Sequence, residues 1–342
     1  MKLRHLLQNR EVVVSLILIG AILLIGFINP SFLKFDTLLT VLNSSLILVL
    51  ISIGEMFVLL TRGIDVSVGA ITGLSAVVLG TALNAEVPVP IAITLALLVG
   101  LAGGLFNATG ITYLKVPPII MTLGTLGIYR GLMLIITDGS WIEQIPQNFK
   151  ALAGFSFGGI RLFIWITFII AVIVTLLTRR LKQARYFYAV GDNEEGAYLL
   201  GIPVKVTKFA AYTLAGLFAG AASVIFVAQI GVVPMQAGSG QELRAIASNV
   251  LGGVNLAGGV GSPISAVLGA VFLTVIDSML IFLKVPGYWN NAVAGAILLI
   301  VVLIDYRIRQ TLNAQQRRER VHAKTVVTKH SANIDNLSKE PQ

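Results

Sequence analysis

The sequence predicts an all-α membrane protein: about ten transmembrane helices in two inverted five-helix halves, with both termini cytoplasmic. Three observations carry this. Of 342 residues, 56% are hydrophobic and only 12% charged, half the roughly 25% of a soluble domain, so a water-facing surface of normal size cannot be covered. Apolar runs near the ~20 residues that a ~30 Å bilayer core requires recur along the chain. The scarce basic residues gather in a few segments separated by even numbers of those runs, as cytoplasmic Lys and Arg demand. The same composition excludes disordered and collagen-like classes, and the absence of cysteine excludes a disulfide scaffold, thiol catalysis and cysteine metal sites.

The runs cover residues 12–28, 38–60, 66–83, 91–113, 118–137, 162–178, 209–230, 245–260, 263–283 and 289–304. The third, eighth and tenth are short or glycine-rich. The first follows Lys2 and Arg4 and could open a signal peptide. Its 17 residues exceed a typical apolar signal core, and Asn29-Pro30-Ser31-Phe32 offers no small-residue cleavage site, so an uncleaved helix is expected. Nineteen of the 25 basic residues lie at the N-terminus, at 62 and 115, in 179–208, and after 304. Six runs precede residue 179 and four lie between 208 and 305, so all these segments can share the cytoplasmic side, and 138–161 becomes the largest external loop. Residues 1–304 form the membrane domain. The polar, basic 305–342 is expected to be a disordered cytoplasmic tail held near anionic lipid; it has no aromatic after Tyr306, so RNA is not an expected partner.

An internal echo divides the chain. Leu114-Lys115-Val116-Pro117 recurs as Leu283-Lys284-Val285-Pro286, an offset of 169, which also aligns Gly100 with Gly269. The shift spans five helices, an odd number, so the copies point opposite ways, as in many transporters. GxxxG spacings at Gly69/Gly73, Gly100/Gly104, Gly127/Gly131 and Gly216/Gly220 are expected to serve close packing inside one bundle.

No catalytic constellation, metal site or cofactor motif is found. His5, His322 and His330 sit in the charged ends, and no Gly-Lys dipeptide exists to form a phosphate loop. Two segments break the apolar pattern. The first, RGIDVSVG at 62–69, places two charges and two glycines between the second and third helices. A broken helix is tolerated in a membrane where its polar groups line a cavity or find partners; it is either a pathway element or a turn in which Asp65 and Ser67 cap the next helix, and the two are compatible. Asp65 and Ser67, with the amides Asn107, Asn249 and Asn255, are the candidates for a path carrying an uncharged polyol, because an amide both donates and accepts; helix-to-helix hydrogen bonding is their commoner use. Glu55, Arg130, Arg244 and Asp277 fall in or beside apolar runs and are expected to face the bundle interior, a partner in an ion pair, or an interface, which Arg130 and Arg244 could reach by snorkelling.

The second segment is GDNEEGAYLLGI at 191–202. It reads as a short helix capped by Asp192, with Glu195 completing a capping box and Asn193 between them. Gly201 suits its stop. Ala197 and Leu200 give it a small apolar edge that cannot hold it in water alone. It docks on a partner or rests on the membrane face.

Four stretches now resemble one family: RGIDVSVGAITGLSAVVLG (62–80), LKVPPIIMTLGTLGIYRG (114–131), AVGDNEEGAYLLGIPV (189–204) and AIASNVLGGVNLAGGVGSPISAVLGAVF (245–272). Together they resemble the permease subunit of bacterial ABC importers for ribose-type sugars, from about residue 10 to 305. Val66 stands where the family usually has Leu. The external loop DGSWIEQIPQNFK (138–150) and YWNNAVAG (288–295) are similar to the branch that imports autoinducer-2, with ribose or another monosaccharide as the alternative cargo. The resemblance implies a bacterial inner-membrane subunit that does not itself hydrolyse ATP. It implies a second related permease as partner in a heterodimer, a double ATPase subunit below and a periplasmic substrate-binding protein above. It makes Asp192, Asn193, Glu195, Ala197, Leu200 and Gly201 part of the coupling helix that meets the ATPase. An ion-coupled carrier using Asp65, Glu55 or Asp277 is the rival class.

Overall fold

The computed structural model describes residues 10–286 and, beyond them, positions 289, 292, 293, 295, 296, 299 and 303, each helical. The tail at 305–342 and most of the run at 289–304 therefore lie outside the described residues. The helices are α1 (Arg10–Ile28), α2 (Phe35–Leu60), α3 (Val68–Asn84), α4 (Val89–Thr112), α5 (Pro118–Thr137), α6 (Gln147–Gly154), α7 (Leu162–Arg180), α8 (Lys182–Asp192), α9 (Glu194–Leu199), α10 (Val204–Ile230), α11 (Gln241–Gly252) and α12 (Pro263–Phe282). Proline in the first turn starts α4, α5 and α12, where its missing N–H costs nothing. Left-handed Gly231 and Gly253 stop α10 and α11. The expected external loop holds α6 and a two-residue hairpin of β1 (Ser156–Phe157) and β2 (Ile160–Arg161), and Ile142 pairs with Val233 in an antiparallel bridge.

Among the described residues seven helices, α1, α2, α4, α5, α7, α10 and α12, are long and apolar enough to cross a membrane. The chain is an all-α membrane protein. α3 is apolar but has 17 residues, about 25 Å of helix. The expected helix at 245–260 is corrected: α11 has 12 residues, about 18 Å, and ends at Gly253 with φ 101°. Glycine at 252, 253, 258, 259 and 261 makes continued helix costly. The chain runs on through left-handed Gly258 and Gly259.

Shifting the chain by the offset of the echo carries α2, α3 and α4 onto α10, α11 and α12 to within a few residues. Lys115 and Lys284 share φ 58°, so the repeated Leu-Lys-Val-Pro is also a repeated backbone conformation. Gly69 and Gly238, one offset apart, touch each other backbone to backbone.

α2 and α10 form the centre: 61% and 67% of their apolar windows are buried, against 22–28% in α1, α4, α5 and α7. The outer helices expose Leu16, Leu24, Leu98, Ile120 and Ile135, surface that suits lipid and not water. α10 packs most extensively on α4. There Gly100 and Gly104 face Gly216 and Gly220; a Cβ on Gly216 would meet the Gly104 Cα and N at 2.6 Å. This pair of GxxxG motifs packs inside the bundle as expected. Gly127 and Gly131 do not: a Cβ on either meets nothing within 4 Å, so that motif lies on an open face of α5.

Arg244 of α11 pairs with Asp277 of α12, the expected ion pair. Replacing Asp277 by Ala should strand a largely desolvated guanidinium and cost about 3–5 kcal/mol. The Arg244→Met/Asp277→Leu double variant should regain much of that. Melting of the detergent-purified single and double variants checks this; equal loss in both refutes a stabilising pair.

Candidate functional site

The break between α2 and α3 is held from inside by a polar knot. Asp65 Oδ1 accepts from the Ser67 backbone N–H at 2.8 Å and from the Ser67 hydroxyl at 2.6 Å. Asn107 Nδ2, on α4, donates to Asp65 Oδ2 at 3.3 Å and to Ser67 Oγ at 2.7 Å. Glu55 Oε1, on α2, accepts the Asp65 N–H at 3.1 Å. Asp65, Ser67, Asn107 and Glu55 are all fully buried. The Tyr212 hydroxyl of α10 presses on Gly63, where a side chain would not fit. A non-helical stretch in the bundle must satisfy its polar groups internally, and here an Asx turn does so. Ser67 stands at the N-cap of α3 but makes no side-chain cap bond; its hydroxyl is spent on Asp65. The capping expected of Asp65 and Ser67 is thus replaced by bonds between them.

Three of the five pathway candidates, Asp65, Ser67 and Asn107, therefore meet at one point. Asn249 is elsewhere: its Nδ2 donates to the Ser52 and Ala245 carbonyls, each at 2.9 Å, tying α11 to α2 beside a 2.6 Å Ser52–Ser248 hydroxyl contact. Asn255 lies in the glycine-rich loop, where its Oδ1 accepts the Ala257 N–H at 2.7 Å. Glu55 and Arg130 form no ion pair among the described residues; Glu55 faces the bundle interior, the other arrangement expected of it. Glu55 serves the break, and Arg130 Nη1 donates to the Ala237 carbonyl at 2.5 Å. No group of three His, Cys, Asp or Glu among the described residues could hold a metal.

At the other side of the break lies a joint of three backbones. Gly259 N–H donates to the Leu60 carbonyl at 3.0 Å. Arg62 Nε donates to the Gly191 carbonyl at 2.6 Å and Nη2 to the Asp192 carbonyl at 2.5 Å. These are the last carbonyls of α8, where a cation is favoured by the helix dipole. Arg62 has φ 63°, a left-handed conformation that costs a non-glycine residue roughly 1–2 kcal/mol. A Cβ on Gly191 would fall inside contact distance of the Leu60 carbonyl and the Gly259 nitrogen. Sequence reasoning took Arg62 as a basic marker and as one of the two charges of the break, and missed the joint. The available signals were the Gly258-Gly259 pair and an arginine standing where the repeat places Gly231.

The 191–202 segment differs from expectation in detail. Asp192 ends α8 instead of capping the next helix. Asn193 is the cap of α9, its Oδ1 accepting the Gly196 N–H at 2.9 Å. The residue three after the cap is Gly196, so Glu195 completes no capping box. The reason is α8 itself: its Ala184, Phe187 and Val190 are buried, with the Phe187 ring packed at a tilt against Phe57, centroids 5.1 Å apart, so helix continues to Asp192. Gly201 ends α9 as expected, at φ 76°, with Gly201 N–H to Tyr198 O at 2.9 Å and Ile202 N–H to Ala197 O at 3.0 Å, a Schellman closure. Ala197 is buried, while Tyr198, Leu199 and Leu200 are 73–83% exposed. An open groove of about 710 Å³ lies beside them, lined by Glu194, Glu195, Tyr198, Ile202, Pro203 and Lys205 among others. Lys208 fixes Glu194 at 2.7 Å.

Known proteins resemble this chain in sequence over most of its length. Residues 37–302 match the family model described as branched-chain amino acid transport system / permease component. The chain is 43% identical over 318 residues, 93% of each sequence, to the autoinducer 2 import system permease protein LsrC of Escherichia coli O9:H4 (strain HS). It is 43% identical to the protein of that name in Shigella flexneri, again with 93% of each covered. The Salmonella typhi protein is 42% identical, with 93% of this chain and 92% of that one covered. No solved structure matches. A membrane bundle with a polar break and an exposed apolar turn, matched over most of its length by these models and relatives, belongs to the permease-component family of ABC importers.

Proposed function

We propose that this chain is the membrane-spanning subunit of an ATP-driven importer carrying autoinducer-2 across a bacterial inner membrane. The identity to proteins named for that import, over 93% of both sequences, carries the cargo assignment; the family model is described for branched-chain amino acids, so the relatives decide between them. The α9 turn is the ATPase-docking element. Its exposed Tyr198-Leu199-Leu200 edge is apolar surface that folding alone does not use. Asp192, Asn193, Glu195, Ala197 and Gly201 shape it. Asp65, Ser67, Asn107, Asn249 and Asn255 belong to the transport path; the first four are buried and hydrogen-bonded inside the bundle, at the break or between α11 and α2, and Asn255 bonds within the glycine loop. A ten-span arrangement of two inverted halves, with cytoplasmic termini and a basic 305–342 tail on anionic lipid, fits the repeat of α2–α4 in α10–α12. A second related permease completes a heterodimer, with a double ATPase subunit and a periplasmic binding protein as the other partners.

Uptake of labelled autoinducer-2 tests this. Cells with the full system should accumulate the label and cells lacking the ATPase subunit should not. Leu199→Ser/Leu200→Ser should reduce uptake at least tenfold and release the ATPase from the purified complex, leaving this chain in the membrane. Uptake that survives ATPase deletion and collapses with an uncoupler establishes the ion-coupled carrier instead. Import of ribose but not autoinducer-2 overturns the cargo assignment alone.

A further inference from the structure

We infer that Arg62 is the positioning residue that links movement of the ATPase-docking turn to the break between α2 and α3. The inference rests on the importer reading above and adds to it a route for the force. Arg62 binds the two final carbonyls of α8. The next residue, Asn193, is the cap of α9, so the grip is immediately before the proposed docking element. On its own chain Arg62 is three residues from Asp65, whose carboxylate ties the break to Asn107 of α4. A shift of the α8 end therefore pulls directly on the segment that separates α2 from α3.

Two further features make the side chain itself the point. Arg62 is held left-handed just past the end of α2, and the equivalent position past the end of α10 is Gly231, at φ 75°. Glycine adopts that conformation freely, so backbone geometry alone calls for glycine, and arginine at 62 carries a strain that its side-chain contacts offset. The rest of the joint is tight: Gly258 and Gly259, both left-handed, pack against the Arg62 stem and the Asp192 backbone. Little slack remains between α8 and the break, and sub-ångström to ångström shifts can be passed on as rigid-body displacements. The planar guanidinium presents two nitrogens in a fixed fork, one to each carbonyl, whereas an ammonium offers one nitrogen with no fixed orientation.

The test uses the complete importer in proteoliposomes, with ATP hydrolysis and labelled autoinducer-2 uptake measured on the same preparation. Arg62→Gly removes the side chain and keeps the left-handed backbone. It is expected to lower uptake per ATP hydrolysed at least tenfold, while ATP hydrolysis stays within twofold, the ATPase still co-purifies and the melting temperature does not fall. Arg62→Lys, with one donor centre, should recover part of the coupling. Unchanged uptake per ATP in Arg62→Gly overturns the inference. Loss of the ATPase from the complex also overturns it, because Arg62 would then serve docking. A parent complex that takes up label without ATP overturns the importer reading, and the coupling role with it. An ATP-driven parent with an unaffected Arg62→Gly variant overturns the coupling role alone.

Discussion

Gly216→Leu is expected to leave the chain inserted in the membrane but unable to assemble its bundle. At Gly216 even a Cβ would lie 2.6 Å from the Gly104 Cα, and its other close neighbour is the Gly100 carbonyl. The obstacles are backbone atoms of α4, so no rotamer change relieves them; α4 and α10 must separate along their most extensive contact. The cost should exceed the ~1–3 kcal/mol of ordinary overpacking, since association in lipid depends on such close approach. The measurement is the monodisperse fraction in mild detergent and its melting temperature, with membrane insertion scored separately. Gly127→Leu is the control: it faces open space and should leave the isolated chain's melting unchanged. Equal behaviour of the two variants would refute the packing argument.

Asp65→Leu is expected to abolish uptake and destabilise the fold by roughly 3 kcal/mol or more. The change leaves the Ser67 N–H, the Ser67 hydroxyl and one Asn107 N–H bond without an acceptor, and each orphaned buried group costs about 1–3 kcal/mol. Asp65→Asn keeps an oxygen for Ser67 and sets two amide NH2 groups against each other, so a loss of about 1 kcal/mol and a few-fold drop in uptake are expected. Asp65→Leu/Asn107→Leu removes donor and acceptor together and should cost less than the two single changes added. Melting temperature and uptake rate, measured on all four variants, decide it. Additive losses would show that the two side chains do not act as one unit.

The expectations that held rest on chemistry local in the chain. The limits of α5 followed from Pro118 and a largely apolar run to Thr137. The stop at Gly201 needed only a residue free to turn left-handed. The repeat was visible in four residues, Leu-Lys-Val-Pro, because the same turn requires the same left-handed lysine twice. The expectations that failed depended on neighbours far along the chain. Asp192 looked like a cap because nothing local reveals that Phe187 packs against Phe57 and prolongs α8. Ala197 and Leu200 looked like one edge, yet only packing tells that Ala197 turns inward. The four GxxxG spacings read alike, and only the partner helix distinguishes Gly216 from Gly127.

By itself, then, the sequence determined the solvent. A chain with 12% charge can bury its backbone polar groups in lipid only as helix or closed barrel; apolar runs near ~20 residues select helix, and the placement of the charge and of proline and glycine marked the helices, the break and the exposed turn. Tertiary structure decided what the break is fastened to. Asp65, Ser67, Asn107 and Glu55 converge from α2, α4 and the segment between α2 and α3, and Arg62 reaches 129 residues along the chain to Gly191. Such contacts are set by where helices cross, which depends on the complementarity of whole faces rather than on any short stretch of residues.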